Sequence, residues 1–342
     1  MFSTSTTTNP NNDIELSSPP SDGVSCLKFS PKANNLIVAG SWDQKIRCWE
    51  INAPTKSSLP KAIISHEAAI LCTDWSGDGT KVFTGGVDGK AKCWNLATNQ
   101  IVQVAQHTAP IKECFWIEES NVLVTASWDR TLKYWDTRQQ TGTPVLSLEL
   151  TERIYAMDML YPLLAVATAD RKIYIYDLKN PQSPYKTVES LLKYQTRCIS
   201  CFPDKSGFAL GSIEGRVAIQ SLDDSKQENS FTFKCHREND TVAYAVNNIS
   251  FALPYGTFAT AGSDGGFSFW DKEAKFRLKQ FSKLPQSIST ATFNLDASFY
   301  AYASSYDWSK GSQYFDPNQP NSIFVRVVGD EAKKGNKQTK KR

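Results

Sequence analysis

Polar and apolar residues alternate in short runs along most of the chain, and Gly, Asp, Asn, Ser or Pro punctuate them. The first clear set is Val24 to Phe29, Leu36 to Gly40, Lys45 to Glu50 and Lys61 to Ile64. A period of two over so few residues predicts strands and is too short for amphipathic helices. Four consecutive runs with short turns predict a small antiparallel sheet. The same unit recurs from Ala69 to Val104, Ile111 to Leu150, Ile154 to about Leu192, Arg197 to Phe233, Val246 to Phe281 and Ile288 to Val328.

Each unit carries one turn signature. It is fullest in Ser127-Trp128-Asp129 running to Trp135-Asp136, and returns as Ser41-Trp42-Asp43 to Trp49, Gly86-Val87-Asp88 to Trp94 and Thr168-Ala169-Asp170 to Tyr176. It continues through Ser212-Ile213-Glu214, Gly262-Ser263-Asp264 to Trp270, and a distorted Ser305-Tyr306-Asp307. The turn acids at 43, 88, 129, 170, 214, 264 and 307 are spaced by 45, 41, 41, 44, 50 and 43 residues. That is the period of WD-type blades, about 40 to 45 residues, so the expected fold is an all-β, seven-bladed WD-repeat β-propeller.

A lone alternating stretch, Asp13-Ile14-Glu15-Leu16, precedes the first unit. A closed ring has no exposed sheet edge, so Ile14 and Leu16 are expected to complete the seventh blade. Residues 13–329 are read as one propeller, with a disordered tail at 1–12 and a basic tail at 330–342. No run approaches the roughly 18 apolar residues of a membrane span, and the first twelve residues lack a signal-peptide core. The expected protein is soluble and intracellular.

Of eight cysteines, Cys48 and Cys93 stand one before a blade tryptophan, and Cys26, Cys72 and Cys114 fall in opening strands. Repeat phase of this kind suits reduced thiols rather than a disulfide framework. Cys198 and Cys201 form a CxxC with no second pair to complete four zinc ligands, so no metal is assigned. The formal charge is +3, but the last twelve residues carry six cations against one acid, which leaves the other 330 residues near −2. A nucleic-acid site must therefore be local.

The three histidines keep blade phase: His66 and His107 each precede a turn acid by 22 residues, and His236 precedes Asp264 by 28. The expected role is a hydrogen bond from each to its turn acid, steadied by a Ser or Trp. No catalytic residues, cofactor or small-molecule substrate are assigned.

Function on a repeated scaffold lies where copies differ. The residue before each turn acid reads Trp42, Val87, Trp128, Ala169, Ile213, Ser263 and Tyr306. Three large aromatics on one loop face, with Arg216 opening from the same face, suit an interaction hot spot. Asp271 to Lys283 holds five cations against two acids, follows Trp270 and neighbours Phe231 and Phe233. Interleaved rings and cations suit single-stranded nucleic acid; an ordinary solvated strand is the alternative. A polar insertion from Tyr306 to Asn321 interrupts the seventh unit, where the blade motif is lost. The lysine-rich tail suits nuclear import, RNA contact or plain solubility.

The segments Gly211-Ser212-Ile213-Glu214-Gly215-Arg216-Val217-Ala218-Ile219, Phe233-Lys234-Cys235-His236-Arg237 and Ala303-Ser304-Ser305-Tyr306-Asp307-Trp308-Ser309-Lys310-Gly311 resemble messenger-RNA export factors of the Rae/Gle type. The first two are also similar to the Bub-type spindle-checkpoint propeller. The resemblance implies a non-enzymatic adaptor that docks an acidic GLEBS segment of a Gly-Leu-Phe-Gly nucleoporin on Trp42, Trp128 and Arg216. It implies an RNA groove at Phe233, Trp270, Lys272, Lys275 and Arg277, and residence in the nucleus, at the nuclear pore complex of the envelope, and in the cytoplasm. The rival it leaves open is a mitotic scaffold that binds checkpoint kinases through similar hairpins.

Overall fold

The computed structural model describes residues 8–139, 142–239 and 241–334. Residues 1–7 of the expected N-terminal tail and 335–342 of the basic tail lie outside the described residues. Seven four-stranded antiparallel sheets form the ring. Blade 1 consists of Val24–Phe29, Leu36–Ser41, Lys45–Asn52 and Ser57–Ser65, the last longer than its alternation suggested. The innermost strands of blades 2 to 7 are Ile70–Trp75, Ile111–Ile117, Ile154–Leu160, Thr196–Cys201, Val246–Ala252 and Ile288–Phe293.

Blade 7 takes its outer strand from the other end of the chain, as the lone stretch predicted. Ile14–Glu15 pairs antiparallel with Ser322–Val327, Ile14 opposite Val325. Leu16 N–H adds a bond of 2.8 Å to Ile323 O, and both apolar side chains are buried. Asp13 accepts from Tyr302 Oη at 2.7 Å and from Arg326 at 3.0 Å, so the closure is polar at one end and apolar at the other. Contacts reach past both expected boundaries of the propeller. Asn11 Nδ2 donates to Ser282 O at 3.0 Å, and the 3-10 turn Asp330–Ala332 buries Ala332 completely.

Register slips by one residue at the same place in every innermost strand. A β-bulge bends the strand and re-aims a side chain. The bulged residues are Ser25, Leu71, Lys112, Tyr155, Arg197, Asn247 and Ser289, and all seven line the mouth of the central cavity. The residue before the bulge packs against the preceding blade in blades 2, 3 and 6, where Ile70, Ile111 and Val246 meet Gly40, Gly85 and Gly211. At Gly40 a Cβ would lie 2.6 Å from Ile70 Cγ2, so only glycine lets blades 1 and 2 approach this closely. Backbone N–H groups are also tied across blades: Asp74 accepts from Trp116 N at 2.8 Å and Asp158 from Cys201 N at 2.6 Å.

Candidate interaction surfaces on the ring

The repeat's polar network must be set apart first, because it accounts for the histidines. In blade 3, His107 Nδ1 lies 2.9 Å from Asp129 and Nε2 lies 2.7 Å from Thr125 Oγ1, which also accepts from Trp135 Nε1 at 2.8 Å. Blade 6 repeats the set with His236, Asp264, Thr260 and Trp270. The steadying group is thus a threonine bonded to the tryptophan, where the sequence suggested a Ser or the Trp itself. Ser127 instead accepts from Asp129 N–H at 3.1 Å. Burial is the largest single influence on Asp129 and Asp264 and opposes their ionisation, but the histidines together with Thr131 and Thr108 N–H in blade 3, and with Lys283 in blade 6, outweigh it and hold both carboxyls well below the usual range.

His66 departs from expectation. Asp88 caps Lys90 N–H at 3.1 Å and has no bond to His66 among the described residues. Trp94 Nε1 donates to Asn99 at 3.1 Å, not to Thr84, so the donor chain is not assembled. The ammonium of buried Lys92, paired with Glu67, stands beside the ring, and His66 Nε2 is buried without a partner. Burial first, and Lys92 second, push the His66 pKa down to about 4.

On the loop face, Trp42, Trp128, Tyr306 and Trp308 line the mouth of a central cavity of about 750 Å³. Trp42 is 46% exposed, Trp128 40% and Trp308 47%, whereas Tyr306 is half-buried. Tyr306 lies 5.5 Å from Trp308, which stacks on Phe315 at 5.2 Å and 12°. The insertion of blade 7 is therefore a folded aromatic platform. Its turn keeps the repeat geometry despite the altered sequence, for Asp307 accepts from Ser309 N–H at 3.2 Å. Arg216 opens Arg216–Ser221 directly after the turn acid of blade 5, its Nε 3.6 Å from Glu214, and is not one of the residues that line the cavity.

A second surface lies where the outer strand of blade 5, Phe231–Lys234, meets the last two strands of blade 6, Phe267–Asp271 and Phe276–Gln280, and the turn between them. Phe233 and Trp270 rings are 4.8 Å apart, Arg277 is 5.7 Å from the Trp270 ring, and Lys275 is 4.8 Å from Phe231. Lys272 is only 13% exposed; it sits over Phe202 at 4.8 Å and 3.9 Å from Asp204. Lys283 is paired with Asp264 at 3.0 Å. The cations beside the Phe231 and Trp270 rings are thus Lys275 and Arg277, while Lys279 lies over Phe281 at 5.2 Å.

The sequence reading singled out the insertion that carries Trp308 and Phe315 without assigning either as a site residue, and it gave Arg197 only as the start of blade 5. Only Trp308 had a visible signal, its place directly after a turn acid. Arg197 becomes conspicuous once the seven bulges are aligned. All eight cysteines are free, Cys198 and Cys201 lying on one strand, and among the described residues no group of three or more His, Cys, Asp or Glu could hold a metal.

The fold is that of a WD-repeat propeller, and its copies depart from one another at an aromatic loop face and at a patch of rings and cations on blades 5 and 6. The WD domain, G-beta repeat family matches residues 14–50, 58–95 and 99–136. Similarity to Protein Rae1 of Drosophila melanogaster is 46% identity over 345 residues, 97% of this chain and 99% of that protein. The mRNA export factors of Xenopus tropicalis and Pongo abelii are 46% and 47% identical over 352 residues, each alignment covering 98% of this chain and 95% of the relative. The chain belongs to the mRNA export factor family.

Proposed function

We propose that this chain is a non-enzymatic adaptor in messenger-RNA export. It binds the acidic GLEBS segment of a Gly-Leu-Phe-Gly nucleoporin on its loop face and single-stranded RNA on the second surface, across blades 5 and 6, and it works at the nuclear pore, with access to nucleus and cytoplasm. The observation that carries the reading is the exposed aromatic rim of Trp42, Trp128 and Trp308 in a chain collinear with export factors. Large exposed rings around a concavity are the anchors of protein interfaces. For RNA, Phe233 and Trp270 offer stacking faces, and Lys275 and Arg277 offer cations beside them.

Calorimetry with a synthetic GLEBS peptide tests the first half: Trp42→Ala with Trp128→Ala should weaken binding at least tenfold, and unchanged affinity would remove the loop face as the site. For RNA, Lys275→Glu with Arg277→Glu should weaken binding of a single-stranded oligonucleotide and flatten its salt dependence, since each lost phosphate contact lowers the slope. An unchanged slope would move RNA binding off this groove.

A further inference from the structure

We propose that the C-terminal strap, Gly329 to Lys334, is part of the RNA surface: it screens Glu273 and delivers the basic segment that follows it, residues 335–342, to a single strand lying on blades 5 and 6. The inference rests on the RNA reading above and deepens it.

The strap is built into blade 6. Its turn, Asp330–Ala332, packs on the last two strands of that blade, and Ala332 is fully buried in the same core as Phe269, Phe281 and Phe324. Thr257 Oγ1 donates to Ala332 O, and Glu331 accepts from Arg326 Nε at 2.9 Å and from Gly329 N–H at 3.1 Å. Buried backbone acceptors with fixed donors set the path of a chain. The path ends beside the second surface, where Lys334 pairs with Glu273 at 2.7 Å. Both partners are exposed, so the pair adds little stability of its own. Its effect is on charge and position.

Glu273 lies in the turn that carries Lys275, two residues before the cation that sits over Phe231. Unscreened, it would oppose a phosphate brought to Lys275. Lys334 meets one of its oxygens, and Lys272 stands 3.8 Å from the other. Asp204 is 3.9 Å from Lys272, and the buried Asp271 accepts from Glu273 N–H and Ala274 N–H at 2.9 and 3.1 Å. The acids beside the rings are thus each matched, one of them by the strap.

After Lys334 the sequence reads Gly335-Asn336-Lys337-Gln338-Thr339-Lys340-Lys341-Arg342, four cations and no acid. At about 3.5 Å per extended residue, Lys337 to Arg342 can reach roughly 10–28 Å from Lys334. That reach covers several nucleotides of a strand seated on Phe233 and Trp270. Tethering raises the local concentration of those cations at the strand, and they add to Lys275 and Arg277 on the ring. Stacking faces beside the exit favour a single strand over an acidic polypeptide as the occupant.

The test is fluorescence anisotropy of the full chain with a labelled single-stranded oligouridylate over a salt series. Changing Lys337, Lys340, Lys341 and Arg342 to Gln should lower affinity about tenfold and flatten the slope of log K against log salt by about 2–3, at roughly 0.7 per lost phosphate contact. Ala332→Gln keeps every charge but does not fit its buried site, and it should lower affinity as well. The tail substitutions alter no buried position of the described ring, so they report even where Ala332→Gln folds poorly. In a chain that also carries Lys275→Glu and Arg277→Glu, the tail substitutions should cost less than in wild type, because both sets act on one strand. An equal cost in the two backgrounds means that the tail takes RNA alone, and it overturns the proposal. If the ring variant weakens binding and the tail variant keeps the wild-type slope, the proposal falls while the ring surface stands. An Ala332→Gln chain with wild-type melting temperature and affinity within twofold would remove the strap's part. If the wild-type chain does not bind the oligonucleotide, both readings fall.

Discussion

Stability of this propeller should fall between neutral pH and about pH 4 because of His66. The ring is half-buried, its Nε2 has no partner, and burial together with the Lys92 ammonium lowers its pKa from the ordinary 6.5 to about 4. Above pH 6.5 the imidazole is neutral in both folded and unfolded chains and costs nothing. Between 6.5 and 4 the unfolded chain binds the proton and the folded chain resists it, so stability declines as pH falls; below about 4 both are protonated and the loss levels off. At 1.36 kcal/mol per unit the loss has an upper bound of roughly 3 kcal/mol, and solvent reaching a half-buried ring brings the expectation to about 1–2 kcal/mol. The measurement is urea unfolding at several pH values for wild type and His66→Gln, with the difference cancelling all other titrating groups. The variant should gain on wild type as pH drops, and the His66 NMR resonance should titrate near 4. A pH-independent difference, or a His66 midpoint within half a unit of 6.5, would refute the account. Lys92→Met should raise the midpoint by less than full exposure would, since burial is the larger cause.

Two further outcomes follow from packing and hydrogen bonding. Thr125→Val leaves His107 Nε2 and the Trp135 N–H without their shared partner and should cost about 2–4 kcal/mol in chemical denaturation, whereas Thr84→Val, whose hydroxyl reaches only Lys92 O at 3.5 Å, should cost under about 1 kcal/mol. Leu16→Ala should cost about 2–5 kcal/mol as a buried truncation, and deletion of residues 1–16 should expose Ser322–Val327 as an edge, seen as a lower melting temperature and self-association on size exclusion.

The blade pair 2 and 3 shows what a single chain reveals and what it conceals. His66, Thr84, Asp88 and Trp94 have the same spacing as His107, Thr125, Asp129 and Trp135, yet only the second set forms the network. Spacing places residues at equivalent points on a blade, which is why the seven blades, the closing strand and the phase of the cysteines were all legible. It does not orient the polar groups, and that depends on neighbours outside the motif: Lys92 beside the imidazole and Asn99 drawing off the indole N–H. The same limit explains Arg197. Its place at the channel mouth comes from a bulge and from an amide held by Asp307, neither of which is a local pattern. Lys272 errs the opposite way, since its cation was countable in the sequence but is folded onto Phe202 and Asp204.

The residue after each turn acid sharpens the division between scaffold and site. It is left-handed in every blade: Gln44 at φ 67°, Gly89 at 74°, Arg130 at 68°, Arg171 at 67°, Gly215 at 66°, Gly265 at 73° and Trp308 at 59°. The turn demands this conformation whatever residue fills it. Glycine meets the demand without strain, and a bulky aromatic meets it least well, at a cost of order 1–3 kcal/mol. At Trp308, ring contacts with Phe315 and Tyr306 offset part of that cost. The ring it projects is half exposed, stacks on Phe315 and stands at the channel mouth beside Trp42. The least favourable residue for the turn is therefore the one that extends the aromatic rim, which is what the proposed docking of a partner on the loop face asks of that position.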